Sequence, residues 1–369
     1  MSDIDFDSIE FATDPDSILS GLRKENGLYP YQFPDGPKVW LVTRRKEVEE
    51  VLTSANVFQV SPATKEQSYK NNPFSEAIPK PMHLLATDGF QHKKLREPLE
   101  KFFTIEILEN YRQYITDEVK KLLSGWKKGE SIDLAKNFSY PIPVKVIAKM
   151  LGLKWNEHFP QYAISLQMVK TYPEDHLKNV VTFHQIIKET IEHKRIYNQG
   201  TDIISVLLNA GLTDEEVLSV SLLLFIAGSG TTASLIIQGL REIINSGNAP
   251  DHQLTDKILF RTPPANSAFP RYVHAEYELS GTKLYQGDLL IVILASANYD
   301  FKDSDDPLKS YFSFSKGIHH CIGWYIAKME AEIAFEEFYR FFPKSKILSE
   351  EWFSNVLSRD IVSMKVELG

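Results

Sequence analysis

Cysteine is nearly absent, with one thiol, Cys321, in 369 residues. No intramolecular disulfide can form, which excludes a disulfide-stapled secreted fold and agrees with a reducing compartment. Sustained basic runs are missing as well, and 41 Lys plus Arg against 49 Asp plus Glu leave a net charge of −8. Nothing tracks a phosphate backbone, so no nucleic acid is expected as a partner. There is no Gly/Ser-rich linker, internal repeat or low-complexity tract, and residues 1–369 read as a single domain. The opening "MSDIDFDSIEF" has neither a basic stretch nor an apolar run. It supports no signal peptide and no anchor, and the expected location is cytoplasmic.

What is present is the make-up of a soluble globular protein, 43% hydrophobic, 24% charged and 12% aromatic. "KVWLVT" (38–43) reads as a strand and the following "RRKEVEEVLTS" as a short helix. From about residue 88 to 245 helical periodicity dominates, as in "TIEILENYRQYITDEVKKLLSGW", which carries apolar residues three and four apart and stops at Gly125. Strand character returns in "DLLIVILASA" and in "IVSMKVEL". The expected fold class is α+β, mainly helical, with a small β region drawn from both ends of the chain and a long central helix.

That central helix is "VLSVSLLLFIAGSGTTASLIIQGL" (217–240), which carries no charge and is long enough to cross a bilayer. A capping box at Thr213-Asp214-Glu215-Glu216 and the small polar centre "GSGTT" favour a buried core helix, and no membrane partner is expected. Two hydroxyls inside the protein need partners. Each of Thr231 and Thr232 either bonds the carbonyl one turn back or faces a ligand cavity.

The thiol lies in "FSFSKGIHHCIGWYIAKMEAEIAFEEFYRFF". After Gly323 a helix presents Ala327, Ala331, Ala334, Phe335 and Phe338 on one face. Cys321 therefore stands just before a helix N-terminus, where unpaired N–H groups favour a thiolate and metal ligation. Gly317 and Gly323 allow tight turns and leave room for a flat group. A lone cysteine can equally be an inert small hydrophobe. Zinc is poorly supported, since His319, His320 and Cys321 are contiguous and no second cysteine exists.

Phe314, Gly317, His319, Cys321 and Gly323 occupy the spacing of the haem-binding signature of the cytochromes P450, and the chain resembles that family. The resemblance implies heme b (iron protoporphyrin IX) with Cys321 as the proximal thiolate on iron, His319 on a propionate and Phe314 packed beside the loop. "LLATDGFQHKKLREPLEKFFT" is similar to the family's third-helix segment, which implies that His92 and Arg96 bind a propionate; Arg271, in "PRYVHAEYELSGTKLYQGD", is implied as another partner. "AGSGTT" resembles the oxygen-binding bend, with Thr231 at the oxygen-site threonine. "ASANYD" resembles the family's Ala-Ser-Ala-Asn-Arg-Asp, with Tyr299 where Arg is usual.

Three features depart from the family. In "DKILFRTPP" the Glu-x-x-Arg pair is missing, leaving Asp256 and Arg261 to substitute imperfectly or not at all, and Phe260 stands where Arg is expected. Gly230 stands where an acidic residue normally precedes the threonine. The stretch between Asp300 and Phe314 is short, as in the compact archaeal members, and shorter loops are one ingredient of thermostability.

The implied function is a soluble monooxygenase that inserts one atom of O2 into a small apolar organic substrate, with electrons from a separate ferredoxin-type donor. Alternatives are a P450-fold peroxygenase or isomerase, or a haem-binding sensor or carrier without turnover. Lys316 and Lys328 are either docking residues for an acidic donor or ordinary solvated charge. The candidate lids, "FQVSPATKEQSYKNNPFSEAIPKPM" and "FPQYAISLQMVKTYPEDHLKNVV", suggest an apolar pocket with mobile walls.

Overall fold

Alternation along the strands decides where the β region packs. The computed structural model describes residues 4–24, 27–33, 36–64, 82–167, 173–197, 200–300 and 306–369, so 65–81 and 168–172 of the candidate lids lie outside the described residues. Two compact units emerge, each assembled from separated stretches of chain.

The first unit takes residues 1–69, 251–321 and 349–364. It opens with α1 (Ile9–Thr13), α2 (Pro15–Lys24), β1 (Leu28–Gln32), β2 (Lys38–Val42), α3 (Arg45–Thr53) and β3 (Phe58–Gln59). The chain then enters the second unit, residues 70–250, 322–348 and 365–369. This unit begins with α4 (Gly89–Phe102), α5 (Ile105–Glu109), α6 (Arg112–Ser124), β4 (Ser131–Asp133) and α7 (Pro141–Leu151). It continues through α8 (Phe159–Gln167), α9 (Pro173–Tyr197), α10 (Ile203–Asn209) and α11 (Asp214–Ser246). Back in the first unit follow α12 (Leu254–Arg261), β5 (Arg271–Val273), β6 (Tyr277–Leu279), β7 (Thr282–Leu284), β8 (Leu289–Val292) and α13 (Leu294–Tyr299). The second unit then receives α14 (Trp324–Phe341), and β9 (Lys346–Ser354) and β10 (Arg359–Glu367) close the chain.

Five strands of the first unit form one sheet in the order β1-β2-β8-β5-β3, with β2 and β8 parallel at Trp40↔Leu290. Successive residues point to opposite faces. Val42, Leu290 and Val292 join Val48, Leu52 and Phe312 in one apolar cluster, whereas Leu41, Leu289 and Ile291 join Phe11, Leu19 and Tyr272 in another. Burial on both faces explains the near-continuous apolar runs in β2 and β8. Ser280 and Gly281, both at positive φ, turn the β6–β7 hairpin.

The second unit is built around α11, which starts with the expected capping box between Thr213 and Glu216. Burial pushes the Glu216 carboxyl up, and Lys94, the Thr213 N–H and Gln91 more than offset this, leaving it below the usual range. α11 is long and apolar enough to span a bilayer, yet 83% of its most apolar window is buried inside the protein. It is a core helix. α11 packs against α7, α8, α9 and α14, and at Gly239 a side chain would overlap the ring of Phe335 on α14. The C-terminal end of β10 pairs antiparallel with β4, Lys365↔Asp133.

Two expected elements are corrected. The run 104–126 is not one helix: α5 ends at Glu109 and α6 begins at Arg112. The Asn110 N–H turns to the Ile107 carbonyl and its side-chain amide to the Glu106 carbonyl, local bonds that compete with helix continuation. In "DLLIVILASA" only Leu289–Val292 is strand, because Leu294–Tyr299 coils into α13 once the Ile293 N–H has bonded the Val42 carbonyl at the end of the β2–β8 ladder.

Candidate active site

The loop that carries Cys321 is built by backbone bonds and by packing on α3. The Ser315 N–H donates to the Phe312 carbonyl (2.6 Å), the His320 N–H to Gly317 (3.1 Å) and the Cys321 N–H to Phe314 (2.9 Å). Phe312 is fully buried, its ring flanked by the Arg45 guanidinium at 4.7 Å and the Lys316 ammonium at 4.6 Å. Both cations lie within cation–π range of the ring. Lys316 also pairs with Glu49 at 2.6 Å. The pair is partly exposed, as for an ordinary surface charge.

Gly317 has φ of 72°, and a side chain there would run into the backbone carbonyl of Leu52. This glycine is required by the close approach of the loop to α3, so the space beside it is filled by backbone and is not left for a flat group. Gly323 differs: a Cβ there would meet only Ile326 Cγ2, at 3.8 Å. Protein packing does not demand glycine at 323, which fits a group lying against the loop at that point. Gly323 is also the N-cap of α14, where no side-chain hydrogen bond caps the helix. Cys321, half-buried, stands two residues before this N-terminus, as expected.

Further residues of the first unit supply positive charge and donors. Arg271 lies on β5, 2% exposed, with Nη1 donating to the Phe269 carbonyl at 2.6 Å. His319 is buried at the end of a 3-10 turn, Gly317–His319. Phe314 is half-buried beside Tyr311, their ring centroids 6.1 Å apart.

The missing Glu-x-x-Arg pair is not rebuilt from Asp256 and Arg261. Asp256 accepts a hydrogen bond from the Tyr311 hydroxyl at 2.6 Å, whereas Arg261 is exposed. The Arg261 carbonyl instead accepts from Tyr299 Oη (2.9 Å) and Arg359 Nη2 (3.3 Å). Burial pushes the Tyr299 hydroxyl up and the Arg359 guanidinium down, to about 10.

In the second unit the candidate residues lie on one face of α4 and on α11. His92 is buried, and Arg96, one turn on, is 16% exposed with Nε on Glu100 at 2.7 Å. The spacing does place both on the inward face of α4. Between Ser219 and Leu240 every residue of α11 is buried except Ala227, Gly228 and Thr231. These lie one turn apart on a single face. Thr231 Oγ1 donates to the Ala227 carbonyl at 2.7 Å, so the back-bond to the preceding turn and the exposed orientation coexist. Thr232 and Gly230 are buried. Just before α4, His83 is buried and neutral; burial lowers it to about 4, and its Nδ1 accepts the Leu85 N–H at 3.2 Å.

Sequence reasoning missed Asn298, fully buried and bonded to two separate segments, and the contacts of Arg45 and Lys316 with the Phe312 ring. The only available signal was the position of Asn298 within "ASANYD".

No family model matches the chain. It is 26% identical to the polyketide biosynthesis cytochrome P450 PksS of Bacillus subtilis, over 97% of both chains. It is 27% identical to the vitamin D(3) 25-hydroxylase of Pseudonocardia autotrophica, over 88% of this chain and 85% of that one. The fold matches P450BioI, solved with a hexadec-9Z-enoic acid ligated acyl carrier protein, at a TM-score of 0.84 and 26% identity, covering 98% of this chain and 100% of that one. Likeness of sequence and of fold over nearly the whole length leads to one conclusion: the chain is a haem monooxygenase with the cytochrome P450 fold.

Proposed function

We propose that Cys321 is the axial thiolate of the haem iron and that the enzyme oxygenates small apolar molecules with electrons from a ferredoxin-type donor. The observation that carries the reading is the placement of the only cysteine, bonded through its N–H to Phe314 and standing before an uncapped helix N-terminus. One cysteine cannot hold an iron–sulfur cluster, which supports a separate protein as the electron donor. The reading locates the enzyme in the cytoplasm, consistent with a chain that forms no internal disulfide. It is tested by the absorption spectrum of the reduced, CO-bound protein, followed by ferredoxin-driven, O2-dependent product formation from compounds that shift the spin state.

Haem held by a thiolate supplies the reduction of O2 and the transfer of one oxygen atom to the substrate, the other leaving as water. Arg271 and His319, with His92 and Arg96, are the proposed partners of its propionates. A charged hydrogen bond of this kind is worth roughly 1.5–3 kcal/mol. Arg271→Ala is therefore expected to speed haem loss about ten- to a hundred-fold, measured by transfer to an excess of a haem-scavenging apoprotein. An unchanged rate would remove Arg271 from the set.

Ala227 and Gly228 offer no polar side chain at the α11 window, which suits an apolar substrate. With its proton on the Ala227 carbonyl, the Thr231 hydroxyl is left to accept a hydrogen bond from water. It must rotate off that carbonyl before it can donate. Gly230 puts no acid next to it in the chain, so this water lacks the carboxylate donor that position would supply. The expected result is poor coupling: much of the reducing power leaves as peroxide, and Gly230→Asp raises product per electron. Paired assays of electrons, peroxide and product, with Thr231→Ala alongside, check this. Tight coupling in the parent that survives Thr231→Ala would deny Thr231 a catalytic part. Gly230 also favours a second reading as a peroxygenase, identified by product from peroxide without any donor.

A further inference from the structure

The last carbonyls of a helix have no partner within it. At the end of α12 each finds one in a side chain. Ile258 takes Thr262 Oγ1 (3.1 Å) besides the Thr262 N–H (2.7 Å), and Leu259 takes Asn298 Nδ2 (3.3 Å) and Ser313 Oγ. Phe260 takes Asn298 Nδ2 (3.0 Å), and Arg261 takes Tyr299 and Arg359.

Asn298 is the member of this set that reaches further. Its Nδ2 also lies 3.0 Å from Ser313 Oγ, and its Oδ1 accepts the Phe312 N–H at 2.7 Å. Only this orientation of the amide satisfies both the carbonyls and the N–H. Phe312 begins the loop: its carbonyl takes the Ser315 N–H, and two residues on the Phe314 carbonyl takes the Cys321 N–H. One buried amide thus ties the end of α12 to the segment that holds the thiol.

We propose that Asn298 is a positioning residue for Cys321, holding the ligand loop with neutral hydrogen bonds where the family's Glu-x-x-Arg ion pair is missing; the inference rests on Cys321 being the iron ligand. A neutral amide avoids the desolvation cost of a buried ion pair. It also places its donors at the negative end of the helix dipole, and it does not titrate. The thiolate geometry is then expected to resist changes of pH and salt that weaken an ion pair.

The test follows, in the reduced CO-bound holoenzyme, the rate at which the thiolate-type band converts to the non-thiolate form on warming, at temperatures where far-UV circular dichroism is constant. Tyr299→Phe serves as the control, because it removes a bond to the same helix end without touching the loop. Asn298→Leu is expected to speed conversion at least tenfold over the parent, and Tyr299→Phe to leave it near the parent rate. Equal rates in the two variants would overturn the proposal, since the effect would then follow general stability.

Should Asn298→Leu fail to fold, Asn298→Asp provides the second arm. It keeps the acceptor for Phe312 and loses the donors to α12, and protonation restores one donor. Conversion in Asn298→Asp is expected to slow as the pH falls from 8 to 5, relative to the parent. A pH dependence matching the parent would overturn the proposal. A parent without any thiolate-type band would instead overturn the assignment of Cys321 itself, which separates the two failures.

Discussion

Replacing Cys321 with alanine is expected to abolish the thiolate-type spectrum of the reduced, CO-bound protein completely. No second cysteine exists to take over, and the nearest alternatives are the imidazoles of His319 and His320. Whatever haem the variant retains should therefore show an imidazole-type band or no strong axial ligand. Cys321→His serves as a companion, expected to keep haem with the imidazole-type spectrum. The decisive comparison is with the parent. A parent that already shows an imidazole-type spectrum, unchanged by Cys321→Ala, would mean that the thiol does not reach the iron.

Gly317→Ala is expected to have the next largest effect, though it adds only one carbon. The residue has φ of 72°, a left-handed conformation that costs an L-residue about 1–2 kcal/mol. The added Cβ would also press into the Leu52 carbonyl, a backbone atom that cannot rotate away. Overpacking of this kind typically costs ~1–3 kcal/mol more. The loop must shift away from α3, and with it the Phe314 carbonyl that holds the Cys321 N–H. The variant should lose both thermal stability and the fraction of thiolate-type CO complex. Gly323→Ala, where a Cβ meets only Ile326, should leave the apoprotein's melting temperature within a few degrees of the parent's. Equal melting temperatures for Gly317→Ala and the parent would show that the loop has another way to settle on α3.

Local signals were read correctly where the cause was local. The capping box at Thr213, the helix after Gly323 and the strand at Lys38–Val42 depend on residues within a few positions of one another. The uncharged run of α11 was legible as a core helix because its polar centre does not suit lipid. The helix break at Asn110–Tyr111 was missed because apolar spacing continues across it while an asparagine side chain diverts the hydrogen bonds. Gly317 does make the tight turn expected of it, but the space beside it is closed by a backbone carbonyl, and carbonyls leave no trace in residue identity. Asn298 escaped for the same reason: three of its partners are main-chain groups of Leu259, Phe260 and Phe312. Arg45 meets Phe312 from far away in the chain, beyond any periodicity.

The parallel pairing of β2 with β8 sets a timetable. Trp40 waits for Leu290, about 250 residues later, and at ~5–20 residues per second this is roughly ten seconds to a minute of synthesis. Through that interval the β1–β2 hairpin has one edge unpaired and its apolar residues uncovered, while residues 70–250, the larger part of the second unit, have already left the ribosome. Slowing or speeding translation between α3 and β8 should therefore change the yield of soluble protein without changing a single residue of it.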